Sequence, residues 1–315
     1  MVLNFLTFFL SVILSLISYR YLIPFFGKYK LDVPNKRSSH FLPTPTSGGL
    51  IFVVFSVFYG LIARQYIFIL CMPLAIIGFI DDRLNLSSWF RFLSQTITSI
   101  LIIRNSNILF NFEYSFFIES LLIITLVIFI CAVINFSNFI DGIDGLLSTC
   151  ILIVFVTLAF ESSINLWVLN GSILGFIFWN KFPAKIFMGD IGSTFLGAIY
   201  AFLVITSPNF QVAIAKIMIG SPIFIDTISC LFIRLKNKQN IFDAHKMHFY
   251  QRLSQNGWGH SRIVLLYSSV ILINSCLFIF ANIYLLLSFS LIQLIVGLCI
   301  SKKFVSDKGY VISDY

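Results

Sequence analysis

Long apolar runs recur along this chain from residue 2 to residue 300. A helix that crosses a bilayer needs about 20 apolar residues, and roughly 17 can suffice. Candidate runs, several of them short, lie at residues 2–26, 48–64, 66–80, 89–103, 116–136, 146–160, 165–179, 191–206, 211–233, 262–282 and 283–300. We therefore expect an all-α polytopic membrane protein with about 11 transmembrane helices (10–11), forming a single domain over residues 1–315.

The composition agrees with a membrane protein. Hydrophobic residues make up 58% of the chain and charged residues 11%, with a mean hydropathy of +0.96. A soluble domain carries about 25% charged residues, so a soluble Rossmann-type enzyme, a disordered chain and a secreted disulfide scaffold are excluded. The six cysteines lie in apolar runs without a CxxC pair. We expect them to be small buried residues and not metal ligands or disulfides.

Basic residues divide unevenly between the two ends of the expected helices. With the N-terminus outside, the inner segments are 27–47, 81–88, 137–145, 180–190, 234–261 and the tail 301–315. Of the 21 Lys and Arg residues, only Arg64, Arg104 and Lys216 then lie outside. Cytoplasmic loops carry an excess of Lys and Arg. The rule assigns the inner loops to the cytoplasm and explains the net charge of +8 without a nucleic-acid partner.

Acidic residues gather at the same inner ends. Five of them stand where helices are expected to end or begin: Asp81, Asp82, Asp141, Asp144 and Asp190. An ionised carboxylate at the centre of a membrane helix costs about 2.5–3.5 kcal/mol on insertion scales. Carboxylates that converge on one face therefore suggest a functional site, where a divalent cation would relieve their repulsion.

Two acidic segments follow expected spans. Asp81 and Asp82 are adjacent in residues 78–85, so their side chains point in different directions, although a solvated pair in a loop is an equal alternative. In residues 135–145, Asn138, Asp141 and Asp144 are spaced three apart and would share one face of a helical turn. Both aspartates precede a glycine, which lets the backbone approach a ligand closely; the alternative for this second segment is an ordinary helix-breaking turn.

Residues 182–193 place Gly189 and Asp190 directly before a span. Asp190 would then lie at a helix N-terminus, which tolerates a carboxylate and attracts phosphate, and it is the best candidate for a metal ligand. Phe187 could stack on a planar base, but for a phenylalanine considered without the surrounding motif, lipid or core packing is the preferred explanation.

Two inner loops carry further polar residues. Loop 234–261 contains His245, His248 and His260, with Arg252 among them. The spacing of His245 and His248 fits one face of a helical turn, and we interpret them as donors to phosphate oxygens, although a solvated basic loop is the alternative. Residues 32–49 form a basic, proline-rich segment that is either a loop over an anionic ligand or a simple connector.

Taken together, these segments resemble the bacterial polyprenyl-phosphate N-acetylhexosamine-1-phosphate transferases. The matching pieces occur in the family's order: DVPNKRSSH and PTPTSGG within 32–49, GFIDD at 78–82, NFIDGIDGL at 138–146, PAKIFMGDIGS at 183–193 and HKMHFYQRL at 245–253. The last piece looks closest to the branch that initiates O-antigen synthesis, which is thought to use N-acetylated, often 6-deoxy, sugars.

The resemblance implies an enzyme that transfers a sugar 1-phosphate from a UDP-N-acetylhexosamine to polyprenyl phosphate, chiefly undecaprenyl phosphate, with release of UMP. It implies Mg²⁺ as cofactor, with Mn²⁺ as an alternative, and a multi-pass protein of the bacterial inner membrane with a cytoplasmic active site. The product would initiate a cell-surface polysaccharide such as that of lipopolysaccharide. The other expected partners are membrane lipid and, as an alternative to a monomer, a second copy of the chain.

The resemblance also implies roles for individual residues. Asp190 would bind Mg²⁺, while Asp81 and Asp82 would be catalytic at the reacting phosphates. Asp81 would accept the proton of the lipid phosphate, unless that phosphate is already ionised and attacks directly. The residues expected at the nucleotide and sugar are Asn138, Asp141, Asp144 and Phe187, with Phe187 on uracil. The residues expected at the diphosphate or sugar are His245, His248 and Arg252.

The chain departs from the family pattern at two places. Asn85 stands where many members have a third aspartate after the pair, which argues against a strict three-carboxylate metal site. A run of three histidines in the phospho-N-acetylmuramoyl-pentapeptide transferases is replaced here by His245-Lys246-Met247-His248. That transferase is the alternative within the same class. A transporter or flippase of lipid-linked sugars is the alternative in another class, but its polar residues should lie near the bilayer midplane.

Overall fold

The described part of the chain consists almost entirely of helices. A computed structural model describes residues 2–29, 31–34, 42–106, 115–240 and 246–306. Its helices are α1 (Val2–Tyr29), α2 (Gly49–Ala63), α3 (Ile67–Leu70), α4 (Met72–Leu84), α5 (Ser88–Asn105), α6 (Phe116–Ile140), α7 (Leu146–Ala159), α8 (Trp167–Asn180), α9 (Asp190–Ile205), α10 (Phe210–Ile219), α11 (Ser221–Lys236), α12 (Phe249–Gln255), α13 (His260–Phe280) and α14 (Ile283–Ser306).

One small element departs from the all-α prediction. Strands β1 (Leu31–Asp32) and β2 (Thr44–Pro45) pair antiparallel, with Leu31 opposite Pro45 and Asp32 opposite Thr44. They bring together the two ends of the proline-rich segment, whose residues 35–41 lie outside the described ranges.

The helices follow the expected apolar runs closely. Among those described, three are long and apolar enough to cross a membrane, Val2–Lys28, Phe116–Ile140 and His260–Phe280, and the bent pair α10–α11 adds a fourth. Several others are shorter, such as α7 and α8 with 14 residues each. The prediction of an all-α membrane protein is therefore confirmed in kind, whereas the count of 11 helices is not.

Helix α9 forms the centre of the bundle. Every residue from Ile191 to Ile205 is buried, as expected for a helix that is apolar on all sides. Helices α4 and α6 both pack along it. The outer helices expose large apolar side chains, for example Leu6 and Leu10 on α1 and Phe116 on α6, which suits a lipid environment.

The cysteines do not all follow their expected burial. Cys71, Cys150 and Cys230 are buried and Cys131 is partly buried, but Cys276 and Cys299 are exposed. The prediction was wrong for these two because an apolar run indicates burial in either protein or lipid. Their helices, α13 and α14, lie at the outside of the bundle.

The ninth expected span is broken at Gly220, where α10 and α11 meet at an angle of 80°. Asn274 on α13 donates from Nδ2 to the carbonyls of Met218, at 3.0 Å, and Ile219, at 3.2 Å. Backbone groups freed by a break inside a membrane must find such partners. The Tyr200 hydroxyl likewise donates a hydrogen bond to the carbonyl of Lys216, at 2.7 Å.

Candidate active site

The site is built around the first residue of the central helix. Asp190 begins α9, as predicted, and its Oδ1 accepts a hydrogen bond of 2.8 Å from Nδ2 of Asn138, near the end of α6. The same amide also donates to the Ser193 hydroxyl at 2.9 Å. Two helices that pack along each other thus bring together two residues that are 52 positions apart.

Asp82 binds the chain where it enters α9. Its Oδ1 accepts from the Asp190 backbone N–H at 2.9 Å and its Oδ2 from the Ser47 hydroxyl at 2.9 Å. Gly189, with φ 75° and ψ 169°, allows this contact, because a Cβ there would lie 2.2 Å from Asp82 Oδ2. That backbone region is essentially restricted to glycine, so Gly189 and Asp82 fit each other.

Asp81 also lies beside the Asp190 side chain, but its own contacts differ from those of Asp82. Its Oδ1 accepts from the Leu86 backbone N–H at 2.6 Å, and its Oδ2 lies 3.5 Å from Nε of Arg91. Arg91 also places Nη1 3.9 Å from Asp190 Oδ2. Asp81 is buried and Arg91 is 47% exposed. The arginine therefore links two carboxylates and still faces outward.

Sequence reasoning counted Arg91 only among the cytoplasmic charges. Its position in the first turn of α5, nine residues after Asp82, was an available signal. Together with the carboxylates it lines a cavity of about 500 Å³, whose walls are Leu31, Asp32, Val33, Thr46, Asp81, Asp82, Asn85, Leu86, Arg91 and Asp190. The ends of the proline-rich segment therefore border the same cavity. Asn85 ends α4 in the left-handed conformation, φ 50°, which asparagine tolerates better than most residues.

The expected common face of Asn138, Asp141 and Asp144 is wrong. Helix α6 ends at Ile140, and residues 141–145 form a turn that reaches the left-handed region at Gly145, φ 76°. Asn138 faces Asp190, whereas Asp144 accepts from the Ala184 backbone N–H at 3.0 Å. The helix-breaking alternative was correct.

The turn nevertheless stays within the electrostatic reach of the cavity. Burial, and then the carboxylates of Asp190, Asp82 and Asp144, raise the pKa of Asp141 well above its usual range. The predicted convergence of acidic residues at one end of the bundle is therefore present in the structure.

Asp144 also has a partner beyond the turn. Its Oδ2 lies 3.4 Å from Nδ1 of His260, the first residue of α13, and both side chains are buried. Phe187, by contrast, is half-buried in the loop before α9, where its backbone N–H donates to the Pro45 carbonyl at 2.8 Å. It stands three residues before Asp190.

The histidine loop forms a second group around Asp226 on α11. His248 precedes α12, and its Nδ1 lies 3.3 Å from Asp226 Oδ1. Arg252 on α12 is buried and borders a groove with Asp226 between α11, α13 and α14. His245 lies outside the described residues. Asp226 was missed because it stands alone inside an apolar run.

The family model of glycosyl transferase family 4 matches residues 65–208. That range contains the three carboxylates of Asp81, Asp82 and Asp190 and the amide and guanidinium groups that meet at the start of α9. A probable undecaprenyl-phosphate N-acetylglucosaminyl 1-phosphate transferase of Bacillus subtilis is 31% identical over 266 residues, which cover 75% of this chain and 72% of the relative. The chain belongs to glycosyl transferase family 4. The resemblance read from the sequence motifs is confirmed.

Other relatives are similar over comparable lengths. A phospho-N-acetylmuramoyl-pentapeptide-transferase of Clostridium acetobutylicum is 29% identical over 311 residues, covering 87% of this chain and 96% of the relative. An undecaprenyl-phosphate alpha-N-acetylglucosaminyl 1-phosphate transferase of Thermotoga maritima is 28% identical over 245 residues, covering 78% and 79%. Two kinds of sugar-phosphate transferase are thus represented among these relatives.

The family 4 match covers one of the two groups of polar residues and not the other. Asp81, Asp82, Arg91 and Asp190 lie within the matched range, whereas the group around Asp226 lies beyond it. Within the described ranges, no three His, Cys, Asp or Glu side chains lie close enough to form a metal site by themselves. A cation at the first group would therefore need water or substrate oxygens as well.

Proposed function

We propose that the protein transfers N-acetylhexosamine 1-phosphate from a UDP-sugar to undecaprenyl phosphate and releases UMP. The observation that carries this proposal is the cavity in which Asp81, Asp82, Asp190 and Arg91 meet at one end of an apolar bundle. The names of the Bacillus and Thermotoga relatives support the acceptor and the sugar phosphate.

The reaction joins two anions. An oxygen of the lipid phosphate attacks the phosphorus that carries the sugar, and the bond from that phosphorus to the UMP oxygen breaks. The sugar keeps its own bond to phosphate. Negative charge on the attacking and leaving groups must be offset, so cationic groups are needed close to the reacting phosphorus.

Mg²⁺, with Mn²⁺ as an alternative, suits the carboxylates of the cavity. Mg²⁺ usually binds through one or two carboxylates together with substrate phosphates and retains several waters. Asp190 would hold the ion, with Asp82 beside it. The bound ion would neutralise charge on the donor diphosphate. The oxygen-only donor set fits a hard cation.

Asp81 is less suited to act as a base than its position alone suggests. It already accepts a hydrogen bond from the Leu86 amide and pairs with Arg91, so both of its oxygens have partners. A phosphate monoester has a second pKa near 6 and is mostly ionised at neutral pH. We therefore favour direct attack by the lipid phosphate, with Asp81 orienting Arg91.

Arg91 offers a contact for the phosphate of the lipid. Its exposed neighbours on α5 are aromatic: Trp89 is 64% exposed, Phe90 49% and Phe92 54%. Tryptophan is enriched where a protein meets the membrane interface. A polyprenyl phosphate could leave its chain in the membrane there and present its headgroup to the guanidinium. The positive-inside distribution supports a cytoplasmic position for this end, in a bacterial inner membrane.

The remaining predicted residues would hold the donor. Asn138, Asp141 and Asp144 would bind nucleotide or sugar beside Asp190, and Phe187 would stack on uracil. His245, His248 and Arg252 stay predicted diphosphate or sugar contacts. The contact of His248 with Asp226 gives that histidine a partner inside the protein as well.

Two donor classes have support. The form of the segment 245–253 favours the O-antigen-initiating branch and thus a UDP-N-acetylhexosamine. The Clostridium relative, of which 96% is covered, favours UDP-N-acetylmuramoyl-pentapeptide as the second candidate. We prefer the first because this chain lacks the run of three histidines.

A donor panel tests the proposal. Purified protein in lipid is mixed with undecaprenyl phosphate, Mg²⁺ and one radiolabelled UDP-N-acetylhexosamine or UDP-N-acetylmuramoyl-pentapeptide, and lipid-linked label and UMP are measured. We expect product with an N-acetylhexosamine donor. Product with the pentapeptide donor alone would select the second candidate, and folded protein that yields no product with any donor would overturn the transferase proposal.

A variant links the activity to the cavity. Asp190→Asn should lower turnover by at least about a hundredfold, because the electrostatic contact at the reacting groups is lost. Glu161→Gln is the matched control, since Glu161 pairs with Lys216 beyond the other end of α7. It should turn over like wild type. Full activity of Asp190→Asn would remove Asp190 from the site.

A further inference from the structure

Asp226 is a buried carboxylate with an unusually complete set of donors. It is 4% exposed. Its Oδ1 accepts from the Phe249 backbone N–H at 2.7 Å, and its Oδ2 from the Tyr250 backbone N–H at 3.2 Å and the Tyr267 hydroxyl at 2.6 Å. A buried charge is tolerated only with such partners. The carboxylate therefore fixes where α12 begins.

The imidazole of His248 faces the same carboxylate. Its Nδ1 lies 3.3 Å from Asp226 Oδ1, and the ring is buried between Phe139 and Tyr250. A carboxylate beside one ring nitrogen fixes the orientation of the ring, and the His248 side chain also accepts from the Gln251 backbone N–H. Asp226 thus fixes the place of His248 at the start of α12.

The contacts continue from α12 to the turn beside the cavity. The Tyr250 hydroxyl donates to the Phe139 carbonyl at 2.9 Å. Phe139 follows Asn138 and stands two residues before Asp141. Gly142 lies so close to this hydroxyl that a Cβ there would be 2.0 Å from it. A shift at the start of α12 would therefore displace the residues on both sides of Phe139.

We propose that Asp226 is a positioning residue for the transfer reaction: it orients His248 and holds Tyr250 against the end of α6 and the turn 141–145. The inference rests on the proposed function for its catalytic consequence. The placement of His248 itself does not depend on which substrate is used, which allows the two to be tested separately.

Steady-state kinetics test the catalytic consequence. Asp226→Asn puts an amide N–H₂ where one carboxylate oxygen now faces donors. We expect kcat to fall by about 10- to 100-fold, as for other partners that orient a functional histidine. The KM for undecaprenyl phosphate should stay within threefold, because the lipid chain contributes most of its binding.

A double-mutant cycle separates positioning from general support. In a His248→Gln background, Asp226→Asn should lower kcat by no more than threefold further, because the histidine through which it acts is gone. Tyr267→Phe is the matched control. It removes one donor from Asp226 but leaves His248 and both amides in place, so kcat should stay within threefold. Fully multiplicative losses, or an equal loss in Tyr267→Phe, would overturn the proposal.

Nuclear magnetic resonance tests the placement without any substrate. The chain has four histidines, so protein labelled with ¹⁵N at histidine alone gives few signals, and His248→Gln assigns the one of interest. We expect the His248 signals of wild type to shift in Asp226→Asn and to stay in place in Tyr267→Phe. Unchanged His248 signals in Asp226→Asn, or in Asp226→Glu where the first variant fails to fold, would overturn the proposal. A wild-type protein without turnover, together with the expected shift in the variant, would instead count against the proposed function.

Discussion

Gly189→Ala tests the site most directly, because the one added carbon would clash with the side chain of Asp82, a candidate catalytic residue. The new Cβ would lie 2.2 Å from Asp82 Oδ2 and 3.0 Å from the Ser47 backbone nitrogen. The side chain of Asp82 must move, and its hydrogen bonds to the Ser47 hydroxyl and the Asp190 amide, both 2.9 Å, cannot both survive.

The cost of this substitution has two parts. A non-glycine residue in the backbone region of Gly189 costs about 1–3 kcal/mol. Loss of one hydrogen bond to a charged group costs about 1.5–3 kcal/mol more. The sum predicts that Gly189→Ala lowers the free energy of unfolding by about 2.5–6 kcal/mol. Turnover should fall by about a hundredfold, the effect of moving a reacting-site group by about 1 Å.

Gly257→Ala is the matched control. Gly257 also has a positive φ, 86°, but a Cβ there would have no atom within 4 Å. It should therefore show backbone strain alone, about 1–2 kcal/mol, with wild-type turnover. Unfolding by SDS titration in mixed micelles and the release of UMP measure the two quantities. Equal stability of the two variants together with full turnover of Gly189→Ala would refute the described fit of Asp82 against Gly189.

Two further predictions concern charge and the broken helix. The pKa of Asp141 is raised on folding, so its ionisation destabilises the folded state at any pH above about 4, the ordinary carboxyl value. Asp141→Asn should therefore melt at a higher temperature than wild type at pH 8 without divalent cations, and the difference should shrink toward pH 4. Equal melting temperatures at pH 8 would contradict this prediction. Asn274→Ala leaves the carbonyls of Met218 and Ile219 without their side-chain donor, and in an SDS titration it should lower the free energy of unfolding by about 1–3 kcal/mol. The control is Ser275→Ala, whose buried hydroxyl bonds to none of the described residues and whose loss should cost less than about 1 kcal/mol. Similar losses in both variants would argue against a special role of Asn274.

The sequence predicted the helices well because the apolar runs are long. The run 116–136 became a helix of residues 116–140, and the run 211–233 became the pair α10 and α11. The 80° bend at Gly220 escaped prediction. It depends on hydrogen-bond donors from Tyr200 and Asn274, which are distant in sequence, and no local pattern announces such partners.

The acidic cluster could be predicted for a different reason. Carboxylates are costly near a membrane, so their repeated occurrence at helix ends required an explanation. The exact contacts could not be predicted, since spacing suggested one face for Asn138 and Asp144 while the helix stops between them. Arg91 and Asp226 were overlooked because each is a single charge whose partners lie elsewhere in the chain. For Asp226 those partners are 22–41 residues away.

The central helix explains why the site lies where it does. Because α9 is buried from Ile191 onward, the residues around its first turn are the ones that meet the cavity. The N–H groups at a helix N-terminus favour negative charge, which is why Asp82 can accept from the Asp190 amide in a protein otherwise poor in charge. The Asp190 side chain and Arg91 then remain available at the cavity. An ionic site at the end of an apolar helix borders both water and lipid, and those are the two phases from which a nucleotide sugar and a polyprenyl phosphate would arrive.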